Sequence, residues 1–424
     1  MEELQINPQL LEIANNAEVE LQPYFKVAQD VCNFNCKKIL EAFIRNRVSY
    51  QDFEEINGYG FFDTGRDKVE KVFAEVLGAE DSLVRPQIMS GTNAIWLSLS
   101  GLLHYGDTMI SITGLPYDPL QNIIGITGDS KQSLKYNGVK YEQIELLNNN
   151  FNLKAIKERL TNGSKVKLIA IQRSRGYSHR EGLGIAQIQE VCTLIKSIDP
   201  QIIIFVDNCY GEMVETKEPT EVGADIIAGS LMHNIGGGIA TSGGYIAGKE
   251  QYVLEIAERL TAPCIAKDLG ANYNQHIKFL KGLYKAPQAV FNAVKTAIFA
   301  SYMWQKIGYK KVSPTFDKVR TDIVQTVDFE SREALIKFCQ GLQRGSPVDS
   351  FATPIPCEFP GYPHYEIMAA GTFTQGSTIE LTCDAPVVEP YTAYLQGGIV
   401  YEYSKLGILV GLTDLLDENK TAIE

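Results

Sequence analysis

A short segment of small and polar residues could bind a phosphate group. The stretch SGTNA, residues 90–94, follows a predicted strand and opens an apolar helix. At such a helix start, Gly91 and Thr92 would present free backbone amides, a hydroxyl and the positive end of the helix dipole, which together favour an anion. The alternative is an ordinary helix cap, because Ser and Thr cap many helices without binding any ligand.

A carboxylate at the end of an apolar strand is the second candidate. The run IIIFVDNCYGE places Asp207 at the C-terminal end of a strand, and open α/β sheets bind their ligands at that edge. A poorly solvated carboxylate favours a cationic partner, and a protonated pyridine nitrogen is one such partner. The alternative is an aspartate that caps the turn after the strand.

The segment GADIIAGSLMHNIGGG places Ser230, His233 and three glycines behind another apolar strand. Glycines allow the backbone to approach a ligand or a neighbouring helix closely. An imidazole in this setting can act as a general acid or base. The alternative is a structural histidine whose ring nitrogens are satisfied by the protein.

Positive charge gathers after a further predicted strand, in the segment QRSRGYSHR. Arg173, Arg175 and Arg180 lie there, in a protein whose formal net charge is −12. Guanidinium groups bind carboxylates and phosphates in a fork geometry, so this segment favours an anionic substrate or a phosphate. The alternative is a solvated loop.

Alternating strands and helices must position these groups. Between residue 68 and about residue 305, short β-rich runs alternate with helical patterns such as Ile185–Ile198, which predicts an α/β fold with a mostly parallel sheet. The predicted strands are Thr108–Thr113, Val166–Ile171, Ile202–Val206, Ile226–Ala228 and Gly244–Ala247.

The pattern changes at both ends of the chain. We predict an N-terminal helical arm over residues 1–60, a large α/β domain over 61–305 and a small C-terminal α+β domain over 306–424. The stretch NGYGFFDTGRD, residues 57–67, predicts a loop. In the small domain we expect a helix over Arg332–Leu342 and strands near Glu366–Met368 and Thr378–Thr382.

Composition limits the class of protein. Hydrophobic residues make up 45% and charged residues 21% of the 424 residues, which is typical of a globular protein. The negative charge argues against non-specific binding to nucleic acid or an anionic membrane. The eight cysteines are scattered, with no ligand spacing that predicts a metal site. With no apolar run at the start, this pattern predicts a cytoplasmic protein.

Ten stretches resemble one family of pyridoxal-phosphate (PLP) enzymes of fold type I, the aluminium-resistance or methionine gamma-lyase-like family, also described as cystathionine beta-lyase-like. They run in order from about residue 57 to residue 400. The stretches are GYGFFDTGRD, LVRPQIMSGTNAI, GLPYDPL, IQRSRGYSHR, FVDNCYGEMVETKEPTEVGADIIAGSL, GGYIAG, RLTAPCI, SPVDSFATP, IMAAGTF and PYTAYLQGG.

The resemblance implies roles for individual residues. Phosphate contacts are implied for Gly91, Thr92 and Ser230, and pairing with the pyridine nitrogen is implied for Asp207. The other implied contacts fall into three groups. They are Tyr117, Asn93 and Tyr210 at the cofactor, with Tyr117 stacked on its ring; Tyr59 and Arg66 reaching a phosphate across a dimer interface; and Arg175 and Tyr177 at the substrate. The resemblance also implies a homodimer or homotetramer that acts in amino acid metabolism or biosynthesis.

The sequence departs from the family pattern at the residue that matters most. The family has Ser-Leu-Ile-Lys-Asn where this chain has residues 230–234, so His233 replaces the lysine that forms the Schiff base. Imidazole has no primary amine and cannot form a stable imine. Asn93 stands where relatives usually have His, and Val388 stands where an Arg is expected near the substrate. Three such changes favour divergence over one engineered replacement, and an engineered Lys-to-His change at position 233 alone is the alternative.

Three hypotheses remain open at this point. The first is a PLP or pyridoxamine-phosphate (PMP) enzyme that holds its cofactor without a covalent link and performs elimination or replacement on an amino-acid-like substrate. His233, Tyr117 and Asp207 would be its catalytic residues, unless Lys249 or Lys267 replaces the missing amine. The second is a non-catalytic relative that binds the cofactor or serves as a scaffold. The third is a site for a different phosphorylated ligand, which would have no use for Asp207.

Overall fold

A computed structural model describes residues 4–416 of the chain. These residues divide into two compact units. The first contains residues 34–286, and the second contains the described residues before 34 and after 286. Among residues 4–416, no helix is both long and apolar enough to span a bilayer. The predicted three-part division, with bounds at 60 and 305, stays a prediction.

The regular elements follow the alternation that the sequence predicts. The helices are α1 (Pro8–Glu20), α2 (Gln22–Arg45), α3 (Thr64–Val76), α4 (Gly91–Leu102), α5 (Asp118–Ile124), α6 (Leu153–Asn162), α7 (Ile185–Ile198), α8 (Glu250–Leu260), α9 (Gln275–Lys306), α10 (Arg332–Arg344) and α11 (Tyr401–Leu416). The strands are β1 (Asp81–Arg85), β2 (Thr108–Ser111), β3 (Lys140–Gln143), β4 (Leu168–Gln172), β5 (Ile203–Asp207), β6 (Ile226–Ser230), β7 (Gly244–Gly248), β8 (Val312–Ser313), β9 (Gln325–Asp328), β10 (Cys357–Glu358), β11 (Tyr365–Ala369), β12 (Thr382–Pro386) and β13 (Thr392–Gln396).

A seven-stranded sheet forms the centre of the first unit, in the order β1-β7-β6-β5-β4-β2-β3. The strands from β3 to β6 are parallel, whereas β7 runs antiparallel to β6 and to β1. The central strands are buried along their length, as expected for strands whose two faces are both covered. Ile203, Phe205 and Leu99 belong to the core that α4 and α8 share with the sheet.

The second unit contains an antiparallel sheet of six strands in the order β10-β11-β12-β13-β9-β8. Helices α10 and α11 belong to the same unit, and α1 contacts α11 through a hydrogen bond from the Asn7 amide to Thr413. In this unit the strands and helices alternate less regularly than in the first unit. This is the α+β arrangement that the sequence predicts for the C-terminal part of the chain.

Most predicted strands lie within two residues of the observed ones, and the helix predicted at Arg332–Leu342 is α10. Two predictions are wrong. The loop predicted over 57–67 ends at Asp63, whose carboxylate accepts a hydrogen bond from the Arg66 amide and caps α3. The strand predicted at Thr378–Thr382 begins only at Thr382, because the Glu380 carboxylate accepts hydrogen bonds from two backbone amides and stabilises a loop there.

Candidate active site

The carboxyl ends of the parallel strands bring the predicted residues to one edge of the sheet. Gln172 is paired with Asp207 across β4 and β5, and Asp207 is paired with Ala228 of β6. The loops that carry the arginine segment, Asp207 and His233 therefore leave the sheet side by side. Such an edge is where open α/β sheets bind ligands.

The start of α4 packs directly against the end of β6. Ser90 caps the helix by accepting a hydrogen bond from the Asn93 amide at 3.0 Å. A Cβ atom at Gly91 would lie 3.1 Å from the sulfur of Cys209 and 3.3 Å from the Cβ of Ser230. A larger residue would have to displace Cys209 or Ser230 by a few tenths of an ångström, so glycine favours the close packing of the helix N-terminus against Ser230.

Tyr117 is linked to the same helix start. Its hydroxyl lies 3.1 Å from the Thr92 hydroxyl, and its amide donates to the Gln172 side chain at 3.1 Å. Asn93 lies one residue after Thr92 and accepts a hydrogen bond from the Met89 amide at 3.3 Å. The structure therefore brings the predicted phosphate and ring contacts Gly91, Thr92 and Tyr117 together.

His233 lies three residues beyond the end of β6, before a short 3-10 turn. Its Nδ1 atom is buried and makes no hydrogen bond. Burial lowers the pKa of His233 to about 4, so the ring is neutral at neutral pH. The imidazole stacks on the Tyr210 ring, with the ring centroids 4.6 Å apart and the planes inclined by 13°.

Asp207 is a buried carboxylate with few partners. Its Oδ1 accepts a hydrogen bond from the Cys209 amide at 3.2 Å, and none of the described lysines or arginines forms an ion pair with it. Burial raises the pKa of Asp207 to about 6, against the opposing effects of Cys209 and of the Arg180 charge. An ionised carboxylate in this position favours a cationic ligand.

A cleft of about 640 Å³ opens beside Tyr117, within the usual range for small-molecule sites. Its walls include the predicted substrate contacts Arg175 and Tyr177, together with Arg180 and Glu145. Arg175 is 1% exposed, so its charge lies at the buried end of this wall. The guanidinium group of Arg175 can pair with an anionic group on a small molecule, whereas Asp118 and Glu145 bring carboxylates to the same cleft.

Two of the three clustered arginines have structural roles. Arg173 is fully buried and donates to Asn208 and to Glu215, both at 2.8 Å, so it is part of an interior network rather than of the cleft. Arg180 donates to the carbonyl groups of Gln172 and Glu181 and stabilises its own loop while it lines the cleft. The prediction that all three form one anion-binding cluster is wrong for Arg173.

Tyr59 and Arg66 lie in and beside the loop before α3. Tyr59 is 58% exposed, whereas Arg66 is buried and donates to the carbonyl groups of Gly58 and Gly60 at 3.0 Å. The guanidinium thereby holds the loop that presents Tyr59. A contact of either residue with a second chain stays a prediction.

Neither candidate lysine lies near His233. Lys249 forms an ion pair with Asp225 at 2.7 Å, and Lys267 forms one with Asp81 at 2.5 Å. Both carboxylates lie at the level where Gly248 pairs with β6 and β1, whereas Ser230 pairs with Gly244 at the opposite end of β7. Four residue steps of strand separate the two ends by about 13 Å.

Two residues of the site were missed by sequence reasoning. Asn234 is fully buried and donates through Nδ2 to the carbonyl groups of Tyr210 and Glu212, at 3.0 and 2.9 Å. Burial raises the pKa of Glu212 to about 8, and its carboxyl group accepts a hydrogen bond from Tyr245. A polar residue inside an apolar, glycine-rich segment was the available signal for Asn234, but its partners are not local in sequence.

Comparison with known proteins agrees with this arrangement. The family model described as methionine gamma-lyase matches residues 10–416. The chain belongs to the methionine gamma-lyase family. Its family relatives include the uncharacterised Bacillus subtilis protein YnbB, which is 39% identical over 411 residues, 96% of this chain and 97% of the relative.

Solved structures of this family superpose closely. A Clostridium novyi carbon–sulfur lyase involved in aluminium resistance is 42% identical and has a TM-score of 0.93, with 97% of each chain covered. The PLP-dependent protein YhfS of Escherichia coli shares 16% identity and a TM-score of 0.60 over 91% of this chain and 96% of its own, which is a likeness of fold. This methionine gamma-lyase family member thus has the fold-type I architecture of PLP-dependent enzymes.

The residues present in this methionine gamma-lyase family member fit a pyridoxal-phosphate cofactor. Gly91 leaves room at the α4 N-terminus. The Ser230 hydroxyl accepts a hydrogen bond from the Met232 amide, and its own hydrogen can be donated to a phosphate oxygen. Asp207 is a buried carboxylate suited to a pyridinium nitrogen.

Proposed function

We propose that this protein binds PLP or PMP without a covalent link and acts on an amino-acid-like substrate by elimination or replacement, as a carbon–sulfur lyase does. The observation that carries the proposal is the juxtaposition at the carboxyl end of β5 and β6. A buried carboxylate, Asp207, and a half-buried imidazole with a buried Nδ1, His233, follow neighbouring strands there. Family membership supports the same reading.

Each residue has a role in this proposal. Gly91, Thr92 and Ser230 hold the phosphate through the helix N-terminus and two hydroxyls. When bound, the cofactor supplies an electron sink for charge that develops at the substrate carbon. Asp207 keeps the pyridine nitrogen protonated, since an ionised carboxylate stabilises a nearby cation.

Proton transfer falls to His233. The pKa of about 4 keeps the ring neutral at neutral pH, and the neutral ring is the form that accepts a proton. A bound phosphate or carboxylate nearby raises the proton affinity of the ring, because an anion favours the imidazolium form. Arg175 and Tyr177 bind the substrate's anionic group in the cleft, and Tyr117 covers the cofactor ring.

Cofactor binding is the first experiment. Purified protein is titrated with PLP and separately with PMP, followed by absorbance, and the PLP complex is then reduced with borohydride and weighed intact. We expect a bound cofactor and an unchanged protein mass. An adduct that maps to a lysine would overturn non-covalent holding, and the absence of any binding would overturn the cofactor assignment.

Turnover is the second experiment. Amino acids that carry a carbon–sulfur bond are incubated with the loaded protein, and released thiol and keto acid are measured. His233→Ala should lower the rate by about 100- to 10,000-fold, the usual contribution of a general acid–base. His104→Ala, at an exposed position in the same unit, is the matched control. Equal rates for the two variants would refute the acid–base role.

A cofactor-binding protein without turnover is the second candidate. The low pKa of His233 favours it, because a ring that protonates only near pH 4 is a weak base at neutral pH. Cofactor that binds while no substrate in the panel turns over would support this candidate over the enzyme.

We also propose a homodimer, or a tetramer built from dimers, in which Tyr59 reaches the partner's site. The exposure of Tyr59, on a loop held by Arg66, supports this arrangement.

A further inference from the structure

The imidazole of His233 and the phenol ring of Tyr210 form a face-to-face pair. Their centroids are 4.6 Å apart and their planes differ by 13°. Tyr210 follows β5 and His233 follows β6, so the pair joins the loops of two neighbouring strands. A ring stacked in this way loses most of its freedom to rotate about χ2, because any large rotation drives its edge into the neighbouring face.

The backbone of Tyr210 is fixed as firmly as its ring. Its φ angle is +69°, a left-handed conformation that non-glycine residues adopt only when other contacts stabilise it. Asn234 supplies such contacts by donating to the carbonyl groups of Tyr210 and Glu212. The residue that follows His233 in sequence thus holds the loop that carries the stacking partner of His233.

The stack is the contact that orients the imidazole. Most catalytic histidines are oriented by a hydrogen bond at one ring nitrogen, which also selects the tautomer. In His233 the Nδ1 atom is buried and forms no such bond. The plane of the ring, and with it the direction of both nitrogens, therefore depends on Tyr210.

We propose that Tyr210, held in place by Asn234, is a positioning residue that orients His233 by stacking. This inference rests on the proposed function, in which His233 transfers protons. It assigns Tyr210 a role in addition to the cofactor contact that the family resemblance implies, and it assigns Asn234 its first role.

The cofactor-free protein provides a test that does not depend on activity. The chain has five histidines, so selective labelling of histidine carbons gives few NMR signals, and His233→Gln identifies the signal of His233. We expect its ring protons to be shifted upfield by Tyr210. Tyr210→Phe keeps this shift, and Tyr210→Leu abolishes it. A His233 signal with the same chemical shift in wild type, Tyr210→Phe and Tyr210→Leu would overturn the proposal.

Kinetics of the loaded protein provide the second test. Tyr210→Leu should lower kcat roughly 100-fold, the cost of a misplaced catalytic group, and should move the pH profile, while Tyr210→Phe restores both. An unchanged kcat and pH profile in Tyr210→Leu would overturn the positioning role. Asn234→Ala gives the same readouts with the phenol ring still present, so the test stands even if Tyr210→Leu does not fold.

The two inferences fail separately. If the NMR shift is present but His233→Ala is fully active, the proposed function is wrong and the stack is only structural. If His233→Ala is inactive but Tyr210→Leu leaves both the NMR signal and kcat unchanged, the proposed function stands and the positioning role is wrong.

Discussion

Burial shifts the pKa values of Asp207 and His233 in opposite directions. Burial raises the pKa of Asp207 to about 6 and lowers that of His233 to about 4, because a buried site disfavours the charged form of either group. At neutral pH the carboxylate is nevertheless ionised and the imidazole neutral. The ionised Asp207 carboxylate therefore favours the binding of a cation.

Replacing Asp207 separates stability from binding. The raised pKa means that its contribution to stability is complete below its unfolded pKa and is lost as the pH rises through about 6. Asp207→Asn removes this loss, so we expect it to stabilise the cofactor-free protein by roughly 3 kcal/mol near pH 8 and little near pH 4. Cofactor affinity should fall in the same variant.

Urea unfolding at the two pH values and a cofactor titration check this prediction. A variant that is equally stable relative to wild type at both pH values would contradict the assigned burial cost.

The tight contact at Gly91 can be tested with a methyl group. In Gly91→Ala the new Cβ meets the Cys209 sulfur and Ser230, so we expect a loss of about 1–3 kcal/mol in unfolding free energy and weaker cofactor binding. Gly101→Ala, at the other end of the same helix, is the control because its Cβ would lie 3.1 Å from the backbone of Ile256. It should lose stability without losing cofactor affinity.

Restoring an amine tests the placement of position 233. His233→Lys should form a borohydride-reducible adduct with PLP that maps to residue 233, since a primary amine is what the imidazole lacks. Intact mass and peptide mapping read out the result, with His104→Lys as the exposed control. An adduct at other lysines only would show that residue 233 does not face the cofactor.

At the level of elements, the sequence predicts those features whose causes are local. The apolar runs of β5 and β6 stand out because both faces of each strand are buried. Strand β3 escapes prediction, since its four residues are half-exposed and carry no apolar run. The same holds for the α3 start, where one side chain, Asp63, decides between loop and helix.

The site is predictable to a similar extent. The strand-end positions of Asp207 and Ser230 follow from the pattern, because carboxyl ends of parallel strands share an edge. The sequence pattern does not predict that Arg173 points into the interior, because its partner Asn208 lies 35 positions away. It also does not predict that Tyr210 stacks on His233, because the two residues are 23 positions apart.

The loop between β5 and β6 contains a second buried acid whose titration limits stability. Burial raises the pKa of Glu212 to about 8, so its stabilising contribution is complete below its unfolded pKa and is lost as the pH rises through 8. We expect Glu212→Gln to gain stability over wild type above pH 8, on the order of 5 kcal/mol.

Thermal or urea unfolding of Glu212→Gln near pH 6 and near pH 9 measures this gain. Glu215→Gln, whose carboxylate is partly exposed and paired with Arg173, should show no gain at high pH. A parallel response of the two variants would contradict the prediction.

For the whole molecule, the central question is whether sites are shared between chains. If Tyr59 completes the partner's site, mixing His233→Ala with Tyr59→Ala under conditions of subunit exchange should restore about a quarter of wild-type activity per site, since only one of the two sites in a mixed dimer is intact. Light scattering should give a mass of at least twice 47.0 kDa. Mixing without any recovery would contradict a shared site.

Ion pairs hold Lys249 and Lys267 at the far end of the strands, away from the proposed cofactor site. This placement affects how the protein is supplied with cofactor. A cofactor bound as we propose is exchanged by mass action rather than retained, so its occupancy follows the free pool in the cell. Each tenfold rise in that pool above the dissociation constant adds about 1.4 kcal/mol to the stability of the folded chain. The cellular concentration of free cofactor would then set the lifetime of this protein as well as its activity.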